Sequence, residues 1–204
     1  MAVSLLQKEV FQGELSSAPP EPVPLEPCYT RVAVSIDVLK EFVGPEQAKL
    51  VDENVYLIEV FAGKQAELSK AVEADGRKAI RLGLAYGQDF TLAKHRAVAI
   101  ELAKHVQAEH IHVSWQCTSV AGFSALNYEK HEWERDEVDK QRDMVGNWIN
   151  MFGDLYMAQT GAGRHCHGEN PERSLAWLHP RFSYLPGLLW CVTDQCDYLS
   201  LIHI

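Results

Sequence analysis

Four short stretches of this chain hold residue types that do chemistry. Glu59-Val60-Phe61-Ala62-Gly63 closes an apolar run on a glycine. A glycine there lets the backbone approach a ligand, and the following helix offers its N-terminal amides. The same residues also suit an ordinary strand-to-helix turn. In Gly87-Gln88-Asp89-Phe90 an acidic residue follows a glycine turn. Its carboxylate suits a ribose or adenine amino partner, and equally the cap of the helix that starts near Leu92. Cys117 ends an apolar strand and opens a loop of small residues. It is a nucleophile if a helix N-terminus or a cation lowers its pKa, and otherwise a small core hydrophobe. Gly168-Glu169-Asn170-Pro171, with Ser174 and Trp177 behind, places a carboxyl group and an amide at another strand end. Glu169 there can protonate or hydrogen-bond a heterocycle, or simply form a surface turn. In His165-Cys166-His167 the two histidines share one strand face and the cysteine points away, which suits no three-ligand cluster. No metal site is expected.

The elements that must position these residues follow one rhythm. Val55–Gly63 is a continuous apolar run, the pattern of a strand buried on both faces of a parallel sheet. KQAELSKAVEAD has helical periodicity and stops at Gly76; RKAIRLGL is a second strand. LAKHRAVAIELAKHVQAE sets Leu92, Val98, Leu102 and Val106 on one helical stripe, and HIHVSW is a third strand. Tyr128 to Tyr156 is a long charged, then aromatic, helical region. RHCHGENP is the fourth strand and LLWCVTDQC the fifth. Ahead of these, IDVLKEFVGPEQAKLV is helical to Gly44-Pro45 and helical again after it. Alternation of this kind predicts an α/β fold with a mostly parallel sheet and helices on both faces. Ligands then bind outside the carboxyl ends of the strands, where all four stretches lie.

Composition narrows the function classes. A chain of 204 residues with 47% hydrophobic and 23% charged residues suits one soluble domain. A net charge of −9 argues against a generally basic nucleic-acid coat but leaves room for a local basic groove. No apolar run approaches the roughly 18 residues that span a bilayer, so no membrane partner is expected. Five cysteines without a CxxC pair, and an N-terminus without a persuasive cleavage site, point to an intracellular protein, nuclear or cytoplasmic. Residues 1–28 include SSAPPEPVPLEP and read as a disordered proline-rich arm. Residues 29–198 read as the α/β domain, incomplete at its C-terminus. The closing LSLIHI, residues 199–204, reads as adapter read-through from a sequencing library.

The order of the stretches is more specific than any one of them. A FAG after strand one, G-x-D-[hydrophobic], strand–Cys–loop–FS and strand–ENP together resemble the cytosine-C5 DNA methyltransferases, over about Val55 to Trp177. The resemblance implies a Rossmann-like methyltransferase fold and S-adenosyl-L-methionine as cofactor. Glu59, Phe61, Ala62, Gly63 and Asp89 are then the cofactor residues. It implies Cys117 as nucleophile, followed by Phe123 and Ser124, with Glu169 and Asn170 at the target base of a DNA partner. The implied reaction is thiolate attack at cytosine C6 with Glu169 assisting at N3. Methyl transfer to C5 and elimination follow, the base being flipped out of the stack. Lys64-Gln65 stand where the family carries a glycine pair, and Ser114-Trp115-Gln116 where it carries one or two prolines. The wording W-x-C…FSxLN and ENPxxSxxW is also similar to methyltransferase-like segments of protist retroelement polyproteins. That similarity implies a nucleic-acid-binding or scaffold segment without catalysis.

Overall fold

The structure, a computed structural model, describes residues 34–121, 128 and 135–192. The arm at 1–28, Phe123, Ser124 and the 199–204 tail lie outside the described residues. Ser35 caps helix α1 (Ile36–Val43) by accepting from the Val38 amide, and Gly44 ends it at φ 81°. The second helical stretch foreseen after Pro45 is a 3-10 turn, Ala48–Asp52. There follow β1 (Leu57–Val60), α2 (Glu67–Ala74), β2 (Ala79–Leu82), α3 (Ala93–Val106), β3 (His110–Val113), α4 (Arg135–Thr160) and β4 (His165–Gly168). Two further 3-10 turns, Leu175–Leu178 and Pro180–Tyr184, come after β4.

The four strands form one sheet in the order β2-β1-β3-β4, every pair parallel. Register and alternation divide the strands' side chains into two faces. Ile58, Val60, Ile80, Leu82, Ile111 and Val113 point into the main core, shared with buried residues of α1, α3 and α4. Cys166 and Gly168 continue that face on β4. The opposite face carries Leu57 and Ala79 beneath Val72 of α2, and otherwise polar residues: Glu59, Arg81, His110, His112, His165 and His167. Helices thus lie on both faces of a Rossmann-like α/β sheet, thickly on one and, among the described residues, through α2 alone on the other. The apolar side chains of the main face are almost fully buried, which at ~25 cal/mol per Å² of apolar surface makes this face the chief source of stability.

Two expectations need correction. The stripe expected from Leu92 to Val106 holds at Leu102, which is buried, and at Val98 and Val106, partly buried against the core, and fails at Leu92. Leu92 is the residue before α3 and is exposed, and the buried face runs through Arg96, Ala99, Ile100, Leu102 and Ala103. Small alanines let α3 lie close on its neighbours, and they carry less signal than the larger residues beside them. The fifth strand is not formed over Leu188–Val192, where Leu189 is 90% and Val192 72% exposed. After Pro186 the chain turns at Gly187 (φ 69°), and the Trp190 ring folds back onto Trp177 and Phe182. That packing holds the segment away from the sheet; its remaining residues from 193 lie outside the described part. Among the described residues, no helix is long and apolar enough to cross a membrane.

Candidate functional site

β1 is central, with β2 on one side and β3 on the other, so the chain reverses its winding between β1 and β3. That switch point is where an open parallel sheet takes ligands. Three of the four chemical stretches follow directly on β1, β3 and β4, and the Asp89 loop lies between β2 and α3.

The turn after β1 is tight. Phe61 (φ 65°) and Ala66 (φ 42°) both occupy the left-handed region that non-glycine residues rarely adopt. Between them lie Lys64 and Gln65. Ala62 is buried, and its amide donates to Leu82 O at 2.9 Å. Gly83 lies against it so closely that a Cβ there would stand 2.5 Å from Ala62 O. Gly63 is exposed, with open space around it. The Phe61 ring is held edge-on by Phe90 (centroids 5.0 Å) and Trp148 (5.1 Å). Glu59 is buried on the α2 side, where its Oε2 accepts from the Ser69 amide at 2.9 Å and from the Ser69 hydroxyl. It ties β1 to the first turn of α2, a favourable end for a carboxylate.

Asp89 does not cap α3, where Leu92 stands at the N-cap without a side-chain hydrogen bond; it closes the turn before the helix. Its Oδ1 accepts from Thr91 N (2.9 Å) and Thr91 Oγ1 (2.6 Å), and these bonds hold its pKa below the usual carboxylate range. The surrounding loop is pinned by residues whose part the sequence alone did not suggest. Arg96 Nη1 donates to Phe90 O and Thr91 O, and Trp148 Nε1 donates to Phe90 O. Gln88, fully buried, accepts from Gly83 N and donates to Phe42 O and Tyr86 O. Both Arg96 and Gln88 are buried by the tertiary fold.

The ends of β3 and β4 are brought together. Glu169 N donates to Val113 O, extending the ladder by one bond, and Asn170 Nδ2 donates to Trp115 O at 3.0 Å. Trp115 is buried against Phe152, Trp177 and Phe182. Leu175 N reaches back to Val120 O at 2.7 Å, and Trp177 Nε1 caps Pro171 O. Cys117 is half-buried in a turn where its carbonyl accepts from Val120 N and Ala121 N. Asn170 Oδ1 and Trp115 Nε1 are both buried and find no partner among the described residues. Buried polar atoms are nearly always paired, so these two mark a place where a polar group is wanted.

A small cavity opens between the loop after β3 and α4. Gln116, Ser119, Gln141, Met144, Val145 and Trp148 line this cavity of about 20 Å³, room for a water-sized group. A nucleoside-sized ligand needs several hundred. A wider groove of about 370 Å³ runs along the free edge of β2, lined by residues such as Glu46, Lys49, Arg81 and Tyr86 and by none of the site residues. Of the residues assigned to S-adenosyl-L-methionine, Gly63 has open space around it, and three others are engaged within the protein. Glu59 and Asp89 are engaged by Ser69 and Thr91, and the Phe61 ring is packed into its own aromatic cluster. Among the described residues no three histidine, cysteine or acidic side chains are placed to hold a metal ion. No family model, no curated protein and no solved structure matches the chain.

Proposed function

We propose that the chain is a methyltransferase-like domain related to the cytosine-C5 DNA methyltransferases, serving as a nucleic-acid-binding or scaffold segment rather than as a catalyst. The frame is supported by the order of the FAG, G-x-D, Cys and ENP stretches around a parallel sheet with a switch point beside β1. The non-catalytic reading is supported by one observation: Glu59, one oxygen of Asp89 and the Phe61 ring, all assigned to the cofactor, are engaged in the protein's own contacts. Titration calorimetry of the full chain with S-adenosyl-L-methionine tests it. No heat of binding up to millimolar cofactor is expected, and micromolar binding overturns the non-catalytic reading.

A second reading, retained cytosine methylation, is favoured by the unpartnered Asn170 Oδ1 and by the bond that joins the Cys117 and Glu169 strand ends. It requires the Phe61 ring to leave its cluster. Incubation with cofactor and a 5-fluorocytosine oligonucleotide separates the two readings. A covalent adduct that is lost in Cys117→Ser establishes the enzyme, and its absence in the parent protein leaves the binding domain.

A further inference from the structure

Four histidines stand in two register pairs on the sheet face that α2 leaves open over β3 and β4: His110 opposite His165, and His112 opposite His167. His110 Nδ1 and His167 Nε2, diagonal across the strands, are 3.2 Å apart. Their rings are tilted by only 14° with centroids 5.5 Å apart. The centroid separation exceeds the nitrogen separation by about the width of one ring, so the rings meet edge to edge with the two nitrogens between them. That is an N–H···N hydrogen bond, and it needs one nitrogen with a proton and one without. His165 lies against His110 as well, centroids 4.9 Å apart.

We propose that this histidine face is a pH-operated latch: the His110–His167 hydrogen bond helps hold edge strand β4 on β3, and arrival of a second proton on the pair frees β4 together with the Glu169–Asn170 loop behind it. One added proton is shared and the bond survives. A second makes both facing nitrogens donors and sets two cations side by side across the strand pair. Among the described residues β4 has no other strand neighbour, and its backbone is held to β3 by bonds such as His165 N to Glu109 O.

The surrounding charges do little to relieve that repulsion. Glu109 Oε1 is 3.6 Å from His110 Nε2, on the far side of that ring from the pair. Glu59 is opposite His112 in register but is held by Ser69. Tyr56 lies against His110, with Arg77 over its ring. α2 carries Glu67 and Lys70, paired with each other, and Glu73, paired with Arg81. Arg164 turns away to Gln159 of α4, and Glu169 follows β4 two residues after His167. Burial first, then the charges of His110 and His165, push His167 below the ordinary imidazole value. Burial pushes His112 the same way, partly opposed by Glu59. The unfolded chain therefore binds more protons than the folded one from about pH 6.5 downward, and the stabilisation is lost as pH falls through that window.

The inference is independent of the methyltransferase reading. Its test is hydrogen exchange on the full chain at about pH 7.5 and about pH 5.5, expressed as protection factors so that intrinsic exchange cancels. Residues 165–170 are expected to lose about tenfold more protection than β1 on acidification. In His167→Gln, whose amide does not titrate, that differential should shrink to within about twofold. An equal loss in β4 and β1, or an undiminished differential in the variant, overturns the latch. Should His167→Gln fail to fold, His110→Gln makes the same comparison. Ring-nitrogen shifts of the parent give a second readout: independent titration of both rings at the ordinary imidazole value also overturns it.

Discussion

Arg181 offers the sharpest test of how the segment after β4 is fastened. Its guanidinium donates to Asp154 Oδ1 of α4 at 2.6 Å, with side-chain exposures of 8% and 14%. The arginine lies in a notch that α4 keeps open at Gly153, where a Cβ would stand 2.2 Å from Arg181 Nε. Arg181→Met keeps the length and most of the packing but strands the Asp154 carboxylate. Removing one partner of a buried pair costs about 3–5 kcal/mol, and the residual exposure of Asp154 places the expectation near the lower end, about 3 kcal/mol. With a urea m-value of about 2 kcal/mol/M, the unfolding midpoint falls by about 1.5 M, readable by circular dichroism. Burial already raises the Asp154 pKa, with Arg181 and then Lys104 opposing it. Without Arg181 it rises further. The folded variant then binds a proton that the unfolded chain releases, so its deficit is largest at neutral pH and shrinks as pH falls through the raised value. Asp154→Asn combined with Arg181→Met should recover most of the loss. A deficit below about 1 kcal/mol at neutral pH, or a double variant no better than the single one, refutes a buried, mutually dependent pair.

Three other outcomes follow from the packing. Gly83→Ala drives a methyl into the Ala62 backbone and should lower stability by about 1–3 kcal/mol, seen as a fall in Tm; an unchanged Tm contradicts that contact. Gln47→Ala removes the side-chain amide that donates to Arg81 O and accepts from Arg81 N. That amide covers the β2 edge as a neighbouring strand would. A loss of about 1–3 kcal/mol is expected, with concentration-dependent growth in light scattering from the bared edge. Phe61→Ala withdraws the ring from Phe90 and Trp148, costs about 2 kcal/mol for a half-buried aromatic, and shifts tryptophan emission to the red. If cofactor binding appears only in this variant, the aromatic cluster is what closes the cleft.

The frame was legible because β1 is buried on both faces and β2 and β3 keep apolar residues at the alternate positions that face the core. Leu57–Val60, Ala79–Leu82 and His110–Val113 fall inside the apolar runs Val55–Gly63, RKAIRLGL and HIHVSW, and β4 lies inside RHCHGENP. Glycine and charge marked where the chain left the sheet. Partnership was less legible. Asp89 had two uses open to it, a ligand or the helix cap, and Thr91 two residues later draws it into a local turn instead. Glu59 has its partner ten residues on, which no local pattern announces. Leu188–Val192 has strand composition, yet it forms no strand, and the Trp190 ring lies edge-on to Trp177 and Phe182. The histidine face needed the β3–β4 register. Alternation put His165 and His167 on one face, but only pairing with β3 places His110 and His112 beside them.

The amide of Asn170 on the carbonyl of Trp115 bears on how this protein can vary. A strand advances about 3.3 Å per residue, more than a hydrogen bond tolerates. An insertion or deletion between Val113 and Trp115, or between Gly168 and Asn170, therefore has to be matched in the other segment or the two come apart. Farther on, the two segments are tied again by Leu175 N on Val120 O. The two loops form a single heritable unit with a fixed internal spacing, so grafting a new specificity onto this sheet means moving both together.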